Sequence, residues 1–188
     1  MLGLFKQLSL VAFLFCNFEY SRDMNLTNTY KGHAGVEYIF EYEDADSFDH
    51  LDIAKCTQTY AVCFFGDEIV IGFGGHKNAW GLIGGTIEKA ETLEQTIRRE
   101  IREESNMEIL NYRPIGYQKV IDTRDGSFFY QLRYVCIVRP FGPFVSDPDN
   151  GITEIKLIAP KDYKQYFDWG EIGERIVTRA IELHNDLL

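Results

Sequence analysis

The chain has 188 residues, of which 45% are hydrophobic and 14% aromatic, enough to bury one sizeable core and too apolar for a disordered chain. Its formal net charge of −10 excludes nonspecific electrostatic attraction to a nucleic acid polymer or an anionic membrane. A phosphate-bearing ligand would need that negative field offset locally, and a divalent cation is the simplest means.

The N-terminus "MLGLFKQLSLVAFLFCNF" carries an apolar run from Leu8 to Phe15, far shorter than the roughly 20 residues that span a bilayer. No small-x-small cleavage site follows it. It is expected to pack on the domain or on a partner chain. A second reading starts the natural chain at Met24, and both stay open at this point. The acidic stretch "EYEDADSFDHLD" (41–52) follows and is expected as a solvated loop or face. The chain is read as an N-terminal extension, 1–50, partly apolar and then acidic, and a main domain, 51–188.

Two β-rich runs, "TQTYAVCFF" and "EIVIGF", flank Gly66-Asp67 and predict a hairpin. The glycine-rich "GFGGHKNAWGLIGG" reads as loop with short extended pieces, and "TLEQTIRREIREES" as a helix. Two long strands, "YRPIGYQKVID" and "SFFYQLRYVCIVRP", then surround Thr123-Arg124-Asp125-Gly126. Dense turn signals in "VSDPDNGI" mark an exposed loop, "EIKLIA" a short strand, and Pro160 a helix start. The tail is a helix with Ile172, Ile176, Ala180 and Ile181 at helical spacing. This order predicts an α+β fold, a sandwich of helices around a mixed sheet. The four cysteines (Cys16, Cys56, Cys63, Cys136) form no C-x-x-C pair and no zinc-site spacing, and are expected as reduced thiols of a cytoplasmic protein. The four histidines (His33, His50, His76, His184) are dispersed, and none is assigned a role.

The helix from about Thr92 to Ser105 holds the chemistry. At about 100° per residue, Leu93, Ile97 and Ile101 form the core-facing stripe. Glu100, Glu103 and Glu104 fall on one flank of it, Glu104 nearest its centre, while Arg98 and Arg102 turn to water. A like-charge i,i+4 pair such as Glu100/Glu104 costs roughly 0.2–0.5 kcal/mol even when exposed. Carboxylates gathered beside a core either protonate or bind cations, and oxygen ligands of this kind suit Mg²⁺ or Mn²⁺. Upstream, Gly84-Gly85 permits close approach of a ligand or metal to the main chain. Thr92 with Gln95 fits a capping box.

The run "GTIEKAETLEQTIRREIREESNM" resembles the signature of the Nudix hydrolases, G-x5-E-x7-R-E-U-x-E-E-x-G-U with U bulky and aliphatic. Gly85, Glu91, Arg99, Glu100, Ile101, Glu103, Glu104 and Met107 match, and Asn106 stands where the family has glycine. The resemblance implies the family's α/β/α sandwich and divalent-metal-dependent hydrolysis of a nucleoside diphosphate linked to another group. Carried over, Glu100, Glu103 and Glu104 would be metal ligands, with the Gly84 carbonyl another. Arg99 would pair with Glu91 and fix the loop–helix geometry. The general base would be Glu103 or a loop carboxylate such as Asp149 or Glu154. Homodimers are common in the family, and the apolar N-terminus suits such an interface.

Many relatives have proline where this chain has Ile83, and the marks of the ADP-ribose, coenzyme A and NADH branches are missing. Elimination favours a nucleoside triphosphate pyrophosphohydrolase, like the MutT-like branch. The alternatives are an ADP-ribose or nucleotide-sugar pyrophosphatase and a non-catalytic nucleotide-binding sensor. Candidate nucleotide contacts are Lys77, Trp169 and Glu171; read structurally, these are a solvated lysine, a packed aromatic and a first-turn acid. Trp80 is expected to pack rather than stack on a base. Asn106 is expected to end the helix in the left-handed conformation, where asparagine is the next-best residue to glycine.

Overall fold

A computed structural model describes residues 26–32, 35–75, 77–145, 147 and 151–188. The apolar N-terminus, Cys16, Met24, His33, His76 and Asp149 lie outside the described residues. The elements in chain order are β1 (Leu26–Lys31), β2 (Glu37–Asp44), β3 (Cys56–Phe65), β4 (Glu68–Gly74), β5 (Ala79–Gly81), β6 (Ile83–Thr86), α1 (Leu93–Ser105), β7 (Met107–Asp122), β8 (Phe128–Pro140), β9 (Ile152–Ile158) and α2 (Gly170–His184). The strands form one sheet in the order β1-β2-β7-β8-β3-β4-β5, with β6 added to β3 and β9 to β4. Strands β3 and β8 run parallel, while their other neighbours are antiparallel, so the sheet is mixed.

Alternation along β3 divides the interior into two layers. Val62 and Phe64 face α2, whose Ile172, Ile176, Val177 and Ala180 are buried against them. Ala61 and Cys63 face α1, where Ile97 and Ile101 are fully buried. The result is the expected α+β sandwich, a helix on each face of a mixed sheet. Ile181, assigned to the α2 stripe by spacing, is instead 44% exposed. It lies about 100° around the helix from Ala180, outside the narrow contact seam. Cys56, Cys63 and Cys136 are free and buried.

The β3–β4 hairpin turns at Gly66-Asp67 as expected, with Gly66 at φ +60° in the first central position, a conformation that matches the strand twist. The acidic stretch from residue 41 is not all loop, because β2 continues to Asp44 and pairs with β7 from Tyr38↔Asp122 to Asp44↔Gly116. Tyr42 is 1% exposed, its hydroxyl donating to the Ile115 carbonyl. The acidic side chains Glu41 and Glu43 alternate with Tyr42, a period-2 pattern in which charge marks the outer face. The sheet thus includes β1 and β2, which precede residue 50.

The feature that positions the site is a fork at β3. Its edge away from β8 pairs with β6 over Gln58–Ala61 and with β4 from Cys63 onward. Strand β4 then leaves to pair with β9 and β5, so the sheet opens where Gly84 and the N-terminal half of β3 lie.

Candidate active site

Helix α1 is fixed at both ends by local chemistry. Thr92 Oγ1 accepts from the Gln95 N–H and the Gln95 side chain accepts from the Thr92 N–H, the reciprocal box expected from the sequence. Asn106 ends the helix at φ 54°, ψ 40°, in the left-handed region. Its Nδ2 donates to the Pro143 carbonyl at 2.8 Å, so it also anchors the segment after β8, a bond that glycine would not make.

Arg99 organises the approach to the helix. Its Nε and Nη2 donate to the two Glu91 oxygens at 2.7 and 3.0 Å, and Nη2 also reaches the Thr86 carbonyl at 3.0 Å. The Arg99 guanidinium holds the Glu91 carboxyl down at about 2. This bidentate pair ties the loop between β6 and α1 to the helix. Arg99 Nη1 donates in addition to Glu100 (2.9 Å) and Glu103 (3.1 Å).

The three glutamates are not equivalent. Glu100 is the most buried, at 8% exposed, and not Glu104 as the wheel suggested. The reason is Gly85, whose missing side chain gives the Glu100 carboxylate its place: a Cβ there would stand 2.7 Å from both oxygens. Burial pushes the Glu100 carboxyl up, against the pull of Arg99. Glu104 is half buried and accepts from the Gly84 N–H at 2.7 Å. Burial raises its carboxyl to about 8, with Glu100 and Asp147 adding repulsion. Glu103 is more open, its side chain 37% exposed.

Sequence reasoning missed Asp147. It is 6% exposed, bonded through its own N–H and carboxylate to the backbone of Ile152, and raises both Glu100 and Glu104 through its charge. Its place depends on β9 pairing with β4, a non-local event with no local signal. Among the described residues, no three His, Cys, Asp or Glu side chains converge as a ready-made metal cage; Arg99 and the Gly84 N–H hold the glutamates instead.

Lys77 sits in the turn between β4 and β5 and is exposed, close enough to Glu104 to favour its charged form. Trp169 lies beside Phe167, ring centroids 4.6 Å apart, and flanks Gly81 of β5. Glu171 is exposed in the first turn of α2. Glu154 is exposed on β9 and pairs with Lys156. Trp80 packs against Phe73 and Tyr166. Among the described residues, no helix is long and apolar enough to cross a membrane.

Comparison with known proteins agrees with this fold. No curated protein matches the chain. The pyrophosphohydrolase of Bacillus subtilis is similar in structure, with a TM-score of 0.63 and 12% identity over 86% of this chain and 99% of that one. A NUDIX hydrolase from Nitrosomonas europaea gives 0.54 and 18%, over 70% of this chain and 90% of that one. The MutT NUDIX hydrolase from Burkholderia pseudomallei gives 0.52 and 17%, over 65% and 95%. At these identities the likeness speaks for the fold. The model of the NUDIX domain matches residues 59–179, well over half of the sequence and the whole of the fork, α1 and α2 down to Arg179, and the chain belongs to that family.

Proposed function

We propose that this protein is a Mg²⁺- or Mn²⁺-dependent hydrolase that cleaves the diphosphate linkage of a nucleoside diphosphate derivative, with nucleoside triphosphates as the leading substrate class and the cytoplasm as its place of action. The observation that carries this reading is the excess of carboxylates on one flank of α1. Glu100 and Glu103 share Arg99, which is already committed to Glu91, while Glu104 beside them is held by the Gly84 N–H with Lys77 near it. The three glutamates outweigh the charge that Arg99 brings them, and their hard oxygens suit a small divalent ion.

The residues fit that ion. The Gly85 backbone leaves the space into which Glu100 settles, and Glu104, raised to about 8, is the group whose deprotonation a cation would drive. Glu100, Glu103 and Glu104, with the Gly84 carbonyl, would hold it; Asp147 is a further carboxylate within reach. When bound, the ion supplies an acidified water and charge neutralisation on the diphosphate. The chain's own part is positional. Arg99 and Glu91 hold the loop carrying Gly84 and Gly85 against the helix, and Glu103, the most open of the three, takes the proton of the attacking water. Lys77 approaches the phosphates from the β4–β5 turn, while Trp169 and Glu171 border the nucleoside side.

The test is a phosphate-release screen in Mg²⁺ or Mn²⁺ over nucleoside triphosphates, ADP-ribose, dinucleoside polyphosphates and nucleotide sugars. Turnover of the triphosphates is expected. Turnover of ADP-ribose or nucleotide sugars alone would reassign the substrate, and binding without turnover throughout would make the protein a sensor.

A further inference from the structure

Arg133 on β8 is buried, 5% exposed, and no carboxylate lies within ion-pair distance of it among the described residues. Its partners are neutral. Nη2 donates to Gln131 Oε1 at 2.8 Å and to Gln118 Oε1 at 3.3 Å, and Nη1 makes a long bond of 3.4 Å to the Leu132 carbonyl. The guanidinium lies over the Tyr60 ring, 5.0 Å from its centroid. Its Nε–H is buried with no acceptor. Elsewhere this chain pairs buried arginine with acid, as in Arg175 and Asp44. Burial lowers Arg133 to about 10, so it stays a cation at neutral pH.

The position of this unmatched charge is informative. Tyr60 pairs with Arg133 on one side and with Gly84 on the other. Three neighbouring strands therefore place the Arg133 backbone about 10 Å from that of Gly84, whose N–H meets Glu104. Tyr60 stands at the fork of the sheet and senses both charges, Arg133 on one side and Glu104 and Glu100 on the other. Gln58, Tyr60 and Gln131 are only half buried, so the guanidinium lies one side chain beneath the surface. The amides are chained, Gln131 Nε2 donating to Gln58 Oε1 at 2.6 Å, and their acceptor ends stiffen the guanidinium without neutralising it.

We propose that Arg133, which with Tyr60 lies on the α2 face of the sheet, is a second anion-binding element beside the fork, receiving a phosphate oxygen of a substrate that reaches round β6 from the α1 carboxylates. This rests on the hydrolase reading above. Carboxylates with their metal ion would hold one end of the diphosphate, and a guanidinium preorganised by neutral acceptors would hold the other. An uncompensated buried cation lowers the stability of the free protein, and the bound oxyanion recovers that loss.

The experiment is calorimetric binding, in Mg²⁺, of methylenediphosphonate and of the α,β-methylene analogue of ADP, which cannot be cleaved at the bridging carbon. Full-length wild type, Arg133→Met and Arg133→Lys are compared, with the melting temperature of each. Arg133→Met is expected to weaken both ligands by about tenfold or more while the melting temperature holds or rises. Arg133→Lys, which keeps the charge and loses the fork, is expected to weaken both severalfold, and it supplies the same comparison if the methionine variant misfolds. Unchanged affinities with a lowered melting temperature would make Arg133 a framework residue and overturn the proposal. So would a loss confined to the nucleoside analogue, which would point to the base or ribose. A protein that hydrolyses nothing but shows the tenfold loss on both ligands would sink the hydrolase reading alone. One that hydrolyses normally with unchanged affinities would sink this inference alone.

Discussion

Helices α1 and α2 cover opposite faces of one sheet and treat charge in opposite ways. On α2, Arg175 pairs with Asp44 at 2.5 Å and with Glu182 at 3.3 Å, and Arg179 pairs with Asp46 at 2.7 Å while donating to the Ile115 carbonyl. Each cation meets an anion, and the network fastens the helix to the end of β2 and the loop after it. On α1, carboxylates outnumber their close cation and two of them are pushed above the usual range. A balanced cluster serves the fold. An unbalanced one, held in place at a cost in stability, is the mark of a site completed by something else.

This contrast can be broken experimentally, starting where the effect is largest. Replacing Glu103 with Gln is expected to lower turnover at least about a hundredfold with circular dichroism unchanged; retained turnover would remove the glutamate from the chemistry. Arg99→Met should release Glu91 and the glycine loop, raising the metal concentration needed for half-maximal activity by about 10- to 100-fold. On the balanced side, Asp44→Asn should cost about 1–3 kcal/mol in urea unfolding, less than a fully buried pair because the Asp44 side chain is 29% exposed. Turnover should change less than about twofold; a large loss there would erase the division between the two helices.

The next effect is a slope. In the folded protein Glu104 holds its proton up to about pH 8, against 4.5 in the unfolded chain. The folded state then binds more protons than the unfolded state between those values, so metal-free stability falls as pH rises through that window, by at most about 1.4 kcal/mol per pH unit. Melting in a chelator across this range should show the fall, Glu104→Gln should flatten it, and added Mg²⁺ should oppose it. The smallest effect is Asn106→Gly. Relief of left-handed strain and loss of the bond to Pro143 oppose each other, so stability should move by less than about 1 kcal/mol, with turnover unaltered.

What could be read from the sequence was whatever rests on local chemistry. The capping box at Thr92, the turn at Gly66, the left-handed Asn106 and the flank of glutamates follow from neighbours within a few residues. The Arg99–Glu91 pair was legible through the fixed spacing of a family signature. Strand β2 was half hidden because its acidic outer face outweighed the alternating Tyr38, Phe40 and Tyr42 on the inner one. Asp147, the fork at β3 and the row joining Gly84, Tyr60 and Arg133 depend on pairings between distant segments, and no window of sequence contains them. The burial order of the glutamates was missed for a related reason: Gly85, on a different element, decides which one sinks deepest.

The two caps of α1 have a consequence for how such a chain can change in length. With Thr92 locked to Gln95 in the first turn and Asn106 pinned to Pro143, inserting or deleting one residue between them would rotate everything downstream by about 100°. Glu103 and Glu104 would swing off their flank while the apolar stripe turned toward water. Variation in length is therefore kept out of the helix and falls to exposed turns such as the one around Arg124–Gly126. A library that samples insertions across this protein should find the 13 residues of α1 intolerant of any change of register, however well they accept substitution on the face that carries Arg98 and Arg102.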